Sequence, residues 1–182
     1  MIKWILAFVI VILLGWVMLR SNQQMNQADE IIELSIRDLE SAYYEKYDIC
    51  GNLSNSFKIY SGVNKDFLTQ LEAVRIKAIN ESISKLTTTE KGPFNFAKIQ
   101  AQLDVIVLEA MDTVSNREDL AIDPNFKVLY NDYQVIADKC IQLSSEYNQA
   151  IIDYNALLSK FPNSIFSNLF GYKKRYKLNI PD

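Results

Sequence analysis

Histidine is absent from the 182 residues. The chain therefore lacks the side chain whose ordinary pKa best suits proton transfer near neutrality, and the imidazole of most mixed zinc sites. Cys50 and Cys140 lie far apart with no CxxC spacing, and they fit one disulfide or two core thiols equally well. Asp29, Glu30, Glu33, Asp38 and Glu40 scatter round a helix without the loop spacing of a calcium site, so they read as a solvated face. Paired-metal sites in helical bundles need Glu-x-x-His, which this chain cannot supply. Serine-nucleophile, phosphate-loop and dinucleotide signatures are missing, and five glycines do not assemble a Gly-rich cradle. The expectation is no catalysis, no metal and no cofactor.

What remains is recognition chemistry. Tyr147-Asn148 recurs seven positions later as Tyr154-Asn155. Asparagine is a poor helix former, so two at matched helical positions point to a side-chain hydrogen-bonding task, in helix register or in docking a partner. The plainer alternative is that the tyrosines fill core and the asparagines face water. A second feature is the run Tyr172-Lys173-Lys174-Arg175-Tyr176-Lys177. It reads either as a solvated tail or as a membrane-surface tail, in which Lys173, Lys174, Arg175 and Lys177 would each contribute about 1 kcal/mol on an anionic leaflet. The net charge of −3, with no basic surface elsewhere, excludes the electrostatic footprint of a nucleic-acid binder.

The elements that position these residues are helices. From Trp4 to Leu19 every residue is apolar or glycine, bounded by Lys3 and Arg20. That run is slightly short of the about 20 residues a bilayer core requires. Snorkelling of Lys3 and Arg20, with Trp4 and Trp16 at the two interfaces, makes up the difference. Bulky residues stand where a signal peptidase needs small ones, so the segment reads as a retained anchor over residues 1–21. Local charge leaves its orientation open.

Beyond the anchor, Ile32, Ile36, Leu39, Tyr43, Tyr47, Cys50, Leu53, Phe57 and Tyr60 form one three-four stripe with no proline, and the helix can continue directly from the anchor. Gly62 marks its stop. Asn64 then caps a second helix bearing Leu68, Leu71, Ile79, Ile83 and Leu86, and Thr87–Pro93 is a loop. Asn95 is placed to cap a third helix with Ile99, Leu103, Ile106, Ala110 and Val114. Asp123-Pro124 begins a fourth, whose stripe of Phe126, Leu129, Tyr133, Ile136, Cys140, Leu143, Tyr147, Ala150, Tyr154, Leu157 and Phe161 is coiled-coil-like and stops at Pro162. No strand pattern competes.

The expected fold class is all-α: a single transmembrane helix followed by an antiparallel four-helix bundle over residues 22–170, with long first and last helices, and a basic tail over 171–182. The first and last soluble helices reach about 55–60 Å and the middle pair about 30 Å, so a two-helix stalk should remain near the bilayer. Its stripe, including Ile32, Ile36, Tyr147, Tyr154 and Leu157, would be half covered, and exposed apolar surface of that kind marks an interaction site.

The closing motif resembles that of the LemA family. It stands here as Tyr147-Asn148, Asp153-Tyr154-Asn155, Phe161-Pro162-Asn163 and Leu169-Phe170-Gly171-Tyr172. Upstream, Asp48-Ile49-Cys50-Gly51-Asn52-Leu53 is similar to the family's Asp-Leu-Ile-Pro-Asn-Leu segment. Departures are Gly51 for proline, Glu45-Lys46 for two arginines, and Ala137 and Ser144 for an acidic and a basic residue. The resemblance implies an anchored helical protein of a bacterial cell membrane, with a short N-terminus outside and the bundle in the cytoplasm, and it supplies no reaction. The expected function is structural or adaptor, acting through self-assembly or a membrane-protein partner. The alternative is a sensor or ligand-binding bundle, which requires a void lined by Tyr133, Tyr147 or Phe57.

Overall fold

A computed structural model describes residues 2–59, 65–81, 83 and 89–178. The described residues are all helical or irregular, with no strand. Helix α1 (Ile2–Lys58) is followed by α2 (Lys65–Asn80), α3 (Gly92–Ser115), a short α4 (Glu118–Ala121), α5 (Pro124–Ser159) and α6 (Asn163–Phe170), and the chain then runs extended over 172–178. The expectations placed on Tyr60, Gly62, Asn64, Leu86, Thr87 and Thr88 lie outside the described residues.

α1 runs without interruption from the apolar segment into the core, so the division at residue 21 corresponds to no break in the backbone. Its apolar start has a mean hydropathy of 2.6 with no residue of that stretch buried, and it is long and apolar enough to cross a membrane. The stripe then turns inward: Met25, Ile32, Ile36, Leu39, Tyr43, Tyr47, Cys50, Leu53 and Phe57 are all buried.

Helix starts follow local chemistry. Asp123 caps α5, its carboxylate accepting from Asn125 N at 2.9 Å, and Pro124 occupies the first turn where its missing N–H costs nothing. Asn95, by contrast, is not a cap. α3 begins at Gly92, because Pro93 sits in the first turn with its φ already helical and Thr89 Oγ1 accepts from Gly92 N at 3.1 Å. The stripe of α5 drifts as a straight helix must, from Leu143 and Ala150, half-buried, to Ser144 and Ile151, buried. It stays on the core through Tyr154 and Leu158, and α5 ends at Ser159, so Phe161 lies in the turn beyond the helix and is 81% exposed.

Paired contacts fix the directions. α5 runs against α1, with Asn125 bonded to Ser56 and Lys139 to Glu45. α2 also opposes α1, Phe67 stacking edge-on against Phe57 and Arg75 Nε donating to Tyr47 O at 2.7 Å. α3 runs with α1, placing Phe96 against Tyr43 and Gln100 against Tyr47. The backbones of α1 and α5, of α1 and α2, and of α2 and α3 approach closely, whereas α3 meets α5 through long side chains such as Tyr133.

The expectation of a half-covered stalk is corrected. Ile32, Ile36, Tyr147 and Tyr154 are all within 2% of complete burial, and of the stripe residues named for the stalk only Leu157 is half-buried. The reason is the chain's own C-terminal segment: it returns along the groove between α1 and α5 and seats Leu178, itself 2% exposed, in the core. Burying a tyrosine-sized or leucine-sized side chain contributes roughly 2 kcal/mol, so covering this stripe internally is strongly favoured over leaving it wet.

Candidate functional site

The Tyr-Asn pairs form a latch. Asn155 Nδ2 donates to Arg175 O at 2.9 Å while its Oδ1 accepts from Arg175 N at 3.1 Å. Asn148 repeats the arrangement on Leu178, donating to its O and accepting from its N, each at 2.8 Å. Each carboxamide thus imitates a neighbouring strand and satisfies one donor and one acceptor of an extended backbone. The spacing accounts for the repeat: seven residues of helix rise about 10.5 Å, and three residues of extended chain cover about 10 Å. Tyr147 Oη adds a donation to Tyr176 O at 3.0 Å. Tyr147 and Tyr154 are therefore core residues, and Asn148 and Asn155 face the chain's own tail, neither solvent nor a partner.

Side chains of the tail complete the seal. The Arg175 guanidinium reaches Asp29 at 2.9 Å and Glu33 at 3.3 Å, which gives two members of the acidic helix face a partner. Burial works against the Arg175 charge, but Asp29 and Glu33 outweigh it and its pKa lies above the usual arginine value. The Tyr172 hydroxyl lies within hydrogen-bond reach of Asn22 Oδ1, at 3.0 Å, and of Asn26 Oδ1. Arg175 is thus bound to α1, while Lys173, Lys174 and Lys177 are exposed. Gly171, at φ +81, ends α6 in the left-handed conformation that a side chain would strain, and Tyr172 N closes the turn on Ser167 O at 2.9 Å. The Phe161-Pro162 bond is cis, and Pro162 caps α6.

At the other end of the apolar run, Trp4 is 82% exposed and Trp16 57%, with the Arg20 guanidinium 5.3 Å from the Trp16 ring centroid. Lys3 is exposed as well. This is the arrangement of aromatic and cationic groups suited to the two edges of a bilayer.

A second constellation was not foreseen. Lys46 is 3% exposed in the middle of α1, its ammonium 2.6 Å from Asp104 of α3 and over the rings of Tyr43 and Tyr133. Tyr133 Oη donates to the same carboxylate, and Gln100 Nε2 donates to Tyr47 Oη at 2.6 Å. Gln100 Oε1 and Ser54 Oγ are buried with no hydrogen-bond partner among the described residues. Burial pushes the Cys50 thiol up to about 12 and Cys140 up to about 11, and raises Tyr43, Tyr47 and Tyr133 well above the usual phenol range. A cleft of about 260 Å³ opens on this cluster, lined by Tyr43, Lys46, Gln100, Asp104, Tyr133 and Ala137 among others.

The sequence carried a faint signal for it. Lys46 and Gln100 fall on the apolar stripes of their helices, and Lys46, Ala137 and Ser144 are among the positions that depart from the family pattern. Among the described residues, no three His, Cys, Asp or Glu side chains cluster closely enough to hold a metal ion. Both cysteines are free and buried.

An all-helical chain with one apolar N-terminal helix long enough to cross a membrane, and a tail latched by paired Tyr-Asn motifs, defines the class. The LemA family model matches residues 35–182, and the chain belongs to the LemA family. The matched span runs from the core of α1 through both latch asparagines to the end of the chain. A comparison with curated proteins found no match.

Proposed function

We propose that this LemA-family chain is a membrane-anchored structural or adaptor protein, in which a four-helix bundle of alternating direction is carried on a rigid post continuous with its membrane span, and which works by association without turnover. The observation that supports this is the unbroken course of α1 from Ile2 to Lys58, braced from Ser56 downward by antiparallel α5. With no linker, the far end of the domain is held about 58 Å beyond Leu19, at the helical rise of 1.5 Å per residue. A tether that rigid suits presenting a surface at fixed height and orientation.

With the α1–α5 stripe covered from within, partner contact or self-assembly falls to the surfaces that stay open. One is a groove of about 560 Å³ between α2 and α3, with Val74, Val105 and Ile106 in its wall and Lys98 and Glu109 among the residues that line it. Photo-crosslinkers at Val105 and Gln70 in native membranes, combined with mass measurement in several detergents, test the proposal. A crosslinked copy or membrane protein is expected. A chain that stays monomeric in every detergent and crosslinks to nothing refutes it.

One observation favours a second reading, a ligand-binding bundle: the cleft beside Tyr133, with Gln100 Oε1 lacking a protein partner among the described residues. Its volume lies just under the range of about 300–1,000 Å³ for drug-sized ligands and suits a smaller molecule. Native mass spectrometry of the protein released from membranes should then show a bound species that Ala137→Leu displaces. Identical spectra for both proteins, with no adduct, would end this reading.

A further inference from the structure

The short helix α6 is absorbed neither by the latch nor by the post. Its inner side is mixed: Asn163 and Ser167 are buried beside half-buried Phe166 and Phe170, Ser21 Oγ donates to Asn163 Oδ1, and Asn163 Nδ2 donates to Leu157 O at 3.3 Å. Its outer side is apolar. Ile165 is 61% exposed and Leu169 66%, and Phe161, one turn before Ile165, is 81% exposed. Ile165 and Leu169 are spaced by four and share one face of α6 as an apolar strip, and Phe161 is exposed in the turn that leads into it. An exposed apolar pair in addition to the inward phenylalanines departs from the usual surface helix, whose outer face is polar.

The height of that strip is fixed by its bonds. Asn163, at the start of α6, is bonded to Ser21, and Tyr172, just past its end, reaches Asn22 and Asn26. Both ends are therefore pinned to the first turns of α1 beyond the apolar run that closes at Leu19. The covering of α1 begins still lower: Val17 and Met18 are already half-buried, whereas Leu19 and Arg20 are exposed. The run from Trp4 to Leu19 is about 24 Å long, and the interfacial layer marked by Trp16 and Arg20 adds about 5–8 Å on each side of the hydrocarbon, which brings α6 to the level of that layer. Lys160, Lys173 and Lys174 flank the strip and are exposed, the cationic rim expected beside a lipid headgroup layer.

We infer that α6 is an interfacial helix whose exposed Ile165 and Leu169, with Phe161 in the turn before it, dip into the acyl boundary of the same membrane that α1 enters, giving the protein a second, monotopic contact with lipid. Apolar side chains at that depth are desolvated by lipid without any protein partner. The contact also orients the post, because a helix anchored at one point can tilt while one with a lateral foot resists it. This rests on reading the start of α1 as a membrane span, and the experiment separates the two claims.

The full chain is reconstituted into vesicles of phosphatidylcholine and phosphatidylglycerol, with a nitroxide on a single engineered cysteine. The sites are Ile165→Cys, Leu169→Cys, Val9→Cys within the apolar run, and Ile122→Cys, which is 76% exposed in the turn between α4 and α5. Cys50 and Cys140 are buried, and the unsubstituted chain sets the labelling background. Relaxation enhancement by oxygen, which partitions into lipid, is compared with that by a water-soluble nickel chelate. The expected result is an oxygen-to-nickel ratio at 165 and 169 several-fold above that at 122 and below that at 9. If 165 and 169 match 122 while 9 is in lipid, α6 faces water and the inference fails though the span stands. If 9 is aqueous as well, both claims fall. Labels at 165 and 169 that are immobile and shielded from both reagents would show a protein on the strip, which also overturns the inference.

Discussion

Asn155→Ala removes one clamp of the latch and leaves every apolar contact of the stripe in place. Two hydrogen bonds are lost, one to Arg175 O and one from Arg175 N, at 2.9 and 3.1 Å. Each contributes a net stabilisation of about 1 kcal/mol, and the freed backbone groups, partly buried, regain some hydration, so the local opening free energy of the tail should fall by about 2 kcal/mol. At about 1.4 kcal/mol per tenfold, that is an increase of about 30-fold in the opening equilibrium. Amide hydrogen exchange on the full chain in micelles reads it directly: the Arg175 amide should exchange about 30-fold faster while amides in the middle of α5 are unchanged. Asn155→Asp separates the two bonds, because the carboxylate still accepts from Arg175 N but no longer donates to its carbonyl. Asn148→Ala should act likewise on Leu178. The double variant should fall short of the sum, since the two clamps hold one continuous segment. Unchanged exchange at Arg175 in Asn155→Ala would refute the account of the Tyr-Asn repeat as a strand-mimicking latch.

The Lys46–Asp104 pair is asymmetric, the side chains being 4% and 45% exposed. Asp104→Ala leaves a buried ammonium without its carboxylate and should cost about 3 kcal/mol or more in denaturant unfolding, whereas Lys46→Met leaves a carboxylate that water can reach and should cost clearly less. Equal losses would contradict this. The thiols and phenols make stability fall at high pH. Cys50 is raised to about 12 and Cys140 to about 11 from 9.0, and Tyr43, Tyr47 and Tyr133 are raised from 10.0, all chiefly by burial. Above about pH 9 the unfolded chain releases these protons while the native one keeps them, so unfolding becomes easier as pH rises, and Cys50→Ala should flatten the first part of that slope in thermal melts between about pH 8 and pH 10. For the same reason neither native thiol should react with an aromatic disulfide reagent at about pH 8 until the protein is denatured, and rapid labelling of folded protein would contradict their burial. For orientation, a cysteine at Ile122 in intact cells should resist an impermeant maleimide and react only after permeabilisation, as the LemA-type topology implies. Labelling without permeabilisation would place the helical domain outside.

Most of the helical architecture was legible because it rests on period and punctuation. The three-four stripe of α1 from Ile32 to Phe57 is buried at every position read, and Asp123-Pro124 starts α5 with the expected cap. Cap competition was less legible. Asn95 has the right side chain for a cap, yet Pro93 and Thr89 settle the start of α3 four residues earlier, since a proline with helical φ is already inside the helix. Phe161 was misplaced for a different reason. The stripe's period runs on through it, but α5 ends at Ser159 with Lys160 extended at its C-cap, so Phe161 lies in the turn beyond the helix and off its buried face.

The sequence by itself determined the features that local chemistry dictates: an all-helical chain, an apolar N-terminal segment of membrane length, and two Tyr-Asn pairs whose asparagines had hydrogen bonds to make. It also carried the LemA signature. Only the tertiary structure decided where those hydrogen bonds go. Asn148 and Asn155 announce unsatisfied donors and acceptors, but their partners are backbone groups of Leu178 and Arg175, and backbone has no letter in the sequence. The same holds for Lys46, Gln100 and Asp104. Each is an ordinary polar residue of a helix until three helices converge on it, and burial, which decides whether a charge is merely solvated or part of a site, is a property of the assembled chain alone.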